Sequence, residues 1–244
     1  MSDGFDRQSI GFSVVIPVYN SEESLEELCR RIHSVFDLLK ESYEIILVDD
    51  SSKDNSWNVM NSLRDKNSNI KIVQLMSNFG QHNAILCGLS YITGKYVITM
   101  DDDLQNPPEE IPKLIDEIKN GYDAVIGALE KKQDTMIKNA ASRAIRFLMR
   151  KIFTMPADLK LSSFRIMTSE IANEIKNIKT PYPFIGGMML SLTQKVTNVT
   201  VKHEKRIYGT STYNYGKLIN LAFNLIINYT SLPLKMLTFI GIQI

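Results

Sequence analysis

Five short runs of apolar, largely β-branched residues open this chain, and helical patterns separate them. The runs are FSVVIPVY from residue 12, YEIILVDD from 43, NIKIVQLM from 69, KYVITMDDD from 95 and YDAVIGAL from 122. They are continuous rather than alternating, so each asks to be buried on both faces. The intervening stretches SEESLEELCRRIHSVFDLLK, SSKDNSWNVMNSLRDK, GQHNAILCGLSYIT and PPEEIPKLIDEIKNG carry apolar residues at helical spacing. In the first of them Leu25, Leu28, Ile32, Val35, Phe36 and Leu39 share a face, and Ser21 reads as its N-cap. Strands alternating with helices over 125 residues dictate an α/β fold, a mostly parallel sheet sandwiched by helices.

In such a sheet, ligands bind outside the carboxyl ends of the strands. Polar clusters stand at three of these ends: Tyr19 and Asn20, Asp49 and Asp50, and Asp101, Asp102 and Asp103. Like charges about 4 Å apart repel by about 4 kcal/mol at an effective dielectric near 20. The triplet therefore reads either as a divalent-cation site, with Asp101 and Asp103 on the same side of an extended chain, or as a helix N-cap cluster before Asn106–Glu110. Asp49 and Asp50 read either as nucleotide contacts or as another N-cap. His33, His82 and His203 have no metal-ligand spacing; His33 reads as a helix-surface residue, and His82 falls near the ligand edge. Neither a Gly-x-Gly-x-x-Gly nor a Gly-x-x-x-x-Gly-Lys loop is present, which argues against dinucleotide and P-loop enzymes. A formal net charge of +1 gives no field for nucleic acid, so no nucleic-acid partner is expected. Two cysteines, Cys29 and Cys87, lie in apolar helical patterns and suggest a reduced compartment.

Beyond residue 130 the pattern changes. Residues 131–153 read as a basic helix with Arg143, Arg146 and Arg150 on one face, either solvated or set against anionic lipid. Residues 161–178 read as a strand or loop and then a helix, and residues 195–206 as an edge strand. The tail from residue 214 is helical and amphipathic, either packed on the core or lying in a membrane interface. Its most apolar stretch is interrupted by Asn224, Asn228, Pro233 and Lys235, so no clean span is expected. The polar opening residues carry no signal-peptide pattern.

VVIPVYNSEESL, EIILVDDSSKDNS, NFGQHNAILCGLSYITGKYVITMDDDLQNPPEEIP, SSFRIM and KRIYGTSTYNYGKL occur in this order. Together they resemble the inverting family 2 glycosyltransferases of GT-A fold. Within these they are most similar to the polyprenyl-phosphate branch, which includes dolichol-phosphate mannose synthases and undecaprenyl-phosphate sugar transferases. The resemblance implies a catalytic domain over residues 1–213, with a nucleotide half at 11–127 and an acceptor half at 128–213. Residues 214–244 would be juxtamembrane helices, followed in many relatives by transmembrane ones. It implies a nucleotide-sugar donor, most commonly with uracil, a polyprenyl-phosphate acceptor, and Mg²⁺ or Mn²⁺. The expected place is the cytoplasmic membrane face, with self-association left open. A same-fold enzyme acting on a soluble or surface glycan, or a non-catalytic nucleotide-sugar binder, are the alternatives.

By the same resemblance, Pro17, Tyr19 and Asn20 border the base, and Asp50 hydrogen-bonds it with Asp49 close by. Asp101 faces the ribose and phosphates with Asp102 beside it, and Asp103 holds the cation with Gln105 in support. Arg206, Gly209, Ser211 and Tyr213 match an R-x-x-G-x-S-x-Y element over the phosphates; Arg206 alone would read as a solvated strand end. Arg165 is either a salt-bridge partner or a phosphate contact. Two departures stand out: relatives usually have glycine where this chain has Ser51, and some have a carboxylate where it has Ser163.

Overall fold

The computed structural model describes residues 10–129, 149–153, 155–156, 158–204, 227–229 and 238. Its strands are β1 (Phe12–Val18), β2 (Tyr43–Asp49), β3 (Ile70–Gln74), β4 (Tyr96–Thr99), β5 (Ala124–Leu129), β6 (Arg165–Thr168) and β7 (Val196–Val201). The helices are α1 (Leu25–Leu39), α2 (Ser56–Lys66), α3 (Gln81–Gly88), α4 (Ile111–Ile118), α5 (Ser169–Asn177) and α6 (Ile185–Leu192), with a 3₁₀ turn at Pro108–Glu110 before α4.

The strands form one sheet in the order β3-β2-β1-β4-β6-β5-β7. All pairings are parallel except those of β6, which runs against both β4 and β5. The expected mostly parallel sheet covered by helices is what forms, and β7 takes an edge. Period-two alternation sorts the side chains into two layers. Phe12, Val14, Ile16 and Val18 pack with Leu28, Ile32 and Phe36 of α1 and with Leu114 and Ile118 of α4. Val15, Ile46 and Val48 face the other way, onto Ala84 and Ile85 of α3, Ala172 of α5 and Met188 of α6.

The amino ends of the strands are closed by a buried carboxylate. Glu44 accepts from the Ser13 hydroxyl (2.7 Å), from Thr93 N–H (2.7 Å) and from the Thr93 hydroxyl (3.0 Å), and pairs with Lys71 Nζ at 2.6 Å. Gly94 N–H donates to Ser13 Oγ (2.9 Å), and a Cβ at Gly94 would lie 2.6 Å from the backbone of Phe12 and Ser13. This end of the sheet is structural, which leaves the carboxyl end for ligands.

Several local expectations shift. Ser21 does not cap α1: its hydroxyl donates to Asp102, and α1 starts after Ser24. The helix expected from residue 51 begins at Ser56, because Asp54 turns the chain by accepting Ser56 N–H (3.0 Å). β4 ends at Thr99, and the aspartate triplet lies in a bend rather than on extended chain. His33 is not a free surface residue; it is half-buried with Nδ1 on the Tyr43 hydroxyl, and desolvation lowers its pKa. Of the arginine face only Arg150 is described, in the helical segment 149–153; Arg143 and Arg146 lie outside the described residues. In the tail, Tyr229 packs its ring on Phe153 at 5.2 Å, accepts Phe184 N–H (3.0 Å) and donates to the Tyr182 carbonyl (3.2 Å), while Ile227 is exposed. No helix among the described residues is long and apolar enough to cross a membrane.

Candidate functional site

The turns that leave β1, β2 and β4 share an uncommon backbone. Asn20 (φ 53°), Ser51 (φ 61°) and Leu104 (φ 59°) adopt left-handed conformations, which cost a non-glycine residue about 1–2 kcal/mol. Such strain clusters at functional sites, where the surrounding bonds hold it. Here those bonds are on view. Asn20 N–H donates to Ser52 Oγ (2.9 Å), and Asn20 Oδ1 accepts Lys53 N–H (2.8 Å). Asp49 accepts Ser52 N–H (3.0 Å) and Gln74 Nε2 (3.0 Å). Ser51 adopts the conformation that glycine would take without cost at this position. Ser51→Gly should therefore raise thermal stability by up to about 1 kcal/mol. A fall in melting temperature would show that the Ser51 side chain supports the turn.

Asp50 is buried and accepts two backbone amides at once, Phe79 N–H (2.7 Å) and Gly80 N–H (2.8 Å). This clamp fixes the loop into α3 and holds the Phe79 ring outward, 58% exposed. Gly80 sits at φ 88°, where a side chain would be strained. Pro17 is buried in β1 opposite Val48, and the Tyr19 ring is exposed at the rim.

The three adjacent aspartates have three different environments. Asp102 turns inward and accepts Tyr19 N–H (3.1 Å) and the Ser21 hydroxyl (2.5 Å). Desolvation pushes its pKa up to about 6; those two donors lower it, and the flanking carboxylates raise it. Asp101 accepts the Gln81 side-chain amide on Oδ1 and the Ser163 hydroxyl on Oδ2 (2.5 Å). Asp103 Oδ1 accepts Gln105 N–H (3.1 Å), and the Gln105 carbonyl accepts Glu204 N–H (2.9 Å). That last bond ties the exit of β7 to the aspartate loop.

Arg165 stands opposite Thr99 across the β4–β6 pairing. Its side chain is almost wholly buried; Nε reaches the Ser163 carbonyl at 3.4 Å, and Nη1 has no hydrogen-bond partner. Burial lowers its pKa to about 10, with Asp101 acting in the opposite sense. His82 lies edge-on to Phe184 (5.5 Å between ring centroids), with Nδ1 buried and unpartnered. Desolvation, helped by Arg165, drives its pKa to about 4, so it is neutral at pH 7. The fold thus brings Pro17, Tyr19, Asn20, Asp49, Asp50, Asp101, Asp102, Asp103, Gln105 and Arg165 to one region, the carboxyl edge around β1, β2, β4 and β6. Arg206, Gly209, Ser211 and Tyr213 lie outside the described residues.

The profile of Glycosyl transferase family 2 matches residues 13–179. The chain belongs to glycosyl transferase family 2. It is 39% identical over 230 residues to the undecaprenyl-phosphate 4-deoxy-4-formamido-L-arabinose transferase of Enterobacter sp. (strain 638), an alignment covering 94% of this chain and 70% of that one. Solved structures share the fold. Glucosyl-3-phosphoglycerate synthase from Mycobacterium tuberculosis, in complex with Mn²⁺ and UDP-glucose, aligns with a TM-score of 0.60 at 18% identity, over 89% of this chain and 77% of that one. A mannosyltransferase from Pyrobaculum calidifontis, in complex with GDP-mannose and Mn²⁺, aligns with a TM-score of 0.59 at 13% identity, over 82% and 58%. This family 2 chain is therefore a glycosyltransferase, and its carboxyl edge is the candidate active site.

The carboxylates at this edge are of a type that could hold a divalent cation. Asp101 and Asp103 supply hard carboxylate oxygens, the ligand type that Mg²⁺ and Mn²⁺ take. No group of three or more His, Cys, Asp or Glu side chains able to hold a metal occurs among the described residues. A pair of carboxylates fits an ion that completes its shell with water and substrate phosphate.

Proposed function

We propose that this enzyme transfers a sugar from a nucleotide-sugar donor to a polyprenyl phosphate at the cytoplasmic membrane face. The observation that carries the reading is the convergence of the three strand-end clusters on one edge, with Asp101 beside the buried Arg165. The acceptor class is supported by the 39% identical relative, whose own acceptor is undecaprenyl phosphate. Pro17, Tyr19 and Asn20 border the base with Asp49 and Asp50 beside them, Asp101 lines the ribose and phosphate side over the inward-turned Asp102, and Asp101 and Asp103 with Gln105 form the cation site. Arg165, Arg206, Ser211 and Tyr213 serve the phosphates.

A bound Mg²⁺ or Mn²⁺ would offset the charge that grows on the departing nucleoside diphosphate. An oxygen of the lipid phosphate bonds to the anomeric carbon. The bond from that carbon to the diphosphate oxygen breaks, and its electron pair leaves with the diphosphate. A phosphate monoester has its second pKa near 6, so the attacking oxygen already lacks its proton at pH 7. Ser163, where some relatives have a carboxylate, agrees with chemistry that needs no protein base. The protein's task is alignment and charge control. Residues 1–213 form the catalytic domain in this proposal, and 214–244 meet the membrane. Incubation of a labelled nucleotide-sugar panel with undecaprenyl phosphate, with a soluble glycan and with water is the test. Divalent-cation-dependent label in the lipid phosphate, with inverted anomeric configuration, is expected. Retained configuration, or label in the glycan alone, would refute the proposal.

A further inference from the structure

The geometry points to Gln81 and Ser163 as positioning residues that set the Asp101 carboxylate for the cation. The inference rests on the cation reading above. Neither residue belongs to the acidic clusters, yet each holds one oxygen of Asp101: the Gln81 amide on Oδ1 and the Ser163 hydroxyl on Oδ2. Two donors from different elements fix the plane of a carboxylate that a single bond would leave free to rotate. Each donor is itself fixed. Gln81 is the first residue of α3 and follows Gly80, whose N–H is clamped by buried Asp50. The Ser163 carbonyl accepts the Thr99 hydroxyl (2.7 Å) and faces Arg165 Nε (3.4 Å). A continuous hydrogen-bonded path therefore runs from Asp50, through α3, across Asp101, to Ser163 and Arg165. It joins the proposed base side of the site to the acceptor side. Groups that orient a metal-binding ligand typically alter affinity or activity by 10- to 100-fold when removed.

The test is Mn²⁺ binding itself, by electron paramagnetic resonance and calorimetry in the presence of UDP. Wild type would be compared with Gln81→Ala, Ser163→Ala and Ser163→Thr. Gln81 is exposed, so its removal tests the idea without threatening the fold, and melting curves check all variants. Each alanine variant should bind Mn²⁺ about 10-fold more weakly, with the melting temperature of Gln81→Ala unchanged. Ser163→Thr keeps the hydroxyl and should bind within about threefold of wild type, the restored affinity marking the hydroxyl rather than the packing. If wild type binds Mn²⁺ and both alanine variants match it, the positioning role is overturned and the cation reading stands. If wild type with UDP takes up no Mn²⁺, both fall together.

Discussion

Asp103→Asn should slow sugar transfer by about 10²- to 10³-fold while leaving the melting temperature within a few degrees of wild type. The carboxamide keeps an oxygen that can accept Gln105 N–H, so the turn survives. What disappears is a negative charge at the proposed cation site. Charge stabilisation by a bound ion is worth several kcal/mol in the transition state, and each 1.4 kcal/mol or so is a factor of ten. Asp102→Ala should behave in the opposite way. Asp102 ties the exit of β1 to the aspartate loop through Tyr19 and Ser21, so its replacement should lower stability more than turnover. Initial rates with a labelled donor, set beside thermal melts, separate the two. An Asp103→Asn enzyme with unaltered rate would remove that residue from the chemistry.

Glu44→Ala should have the largest effect on stability and touch the site least. The substitution strands the buried Ser13 hydroxyl and takes one acceptor from the exposed Thr93, whose N–H keeps its longer bond to Ser13 Oγ (3.2 Å). A buried orphaned donor costs about 1–3 kcal/mol, and a loss of about that size is expected. At about 2–4 °C per kcal/mol for a chain of this size, the melting temperature should fall by about 2–12 °C. The acid limb carries a second signature. Burial raises the Glu44 pKa, but the Lys71 ammonium and the Ser13 and Thr93 donors outweigh it and leave the value below normal. Its folded pKa thus lies below its unfolded one. The stabilisation is complete above the unfolded value, near 4.3, and is lost as pH falls through the folded pKa. Glu44→Gln should flatten that limb in a series of melts from pH 7 to pH 3. An unchanged limb would assign the acid transition to other carboxylates.

The sheet and its ligand edge were legible because parallel strands buried on both faces leave long apolar runs, and because polar residues at three strand ends break them. The placing of β6 was not legible. Arg165–Thr168 is too short to announce its direction, and its position between β4 and β5 depends on pairing partners far away in sequence. Helix starts shifted where a side chain had a stronger distant claim: the Ser21 hydroxyl bonds to Asp102, 81 residues onward, rather than to its own helix. The aspartate triplet announced a charged site but not its division of labour, since three identical side chains separate only when the turn at Leu104 points them in different directions. Gln81 and Ser163 carry no charge and match no spacing rule. Only their closeness to the Asp101 oxygens in space identifies them, and a linear sequence does not display that.

The reversed strand β6 has one further consequence. Thr99 and Arg165 are partners in the β4–β6 ladder, so the proposed donor and acceptor halves meet in a fixed phase. A shift of one residue would turn Arg165 to the opposite face of the sheet. An exchange of the proposed acceptor half between related enzymes would therefore have to keep the pairing of Arg165 with Thr99.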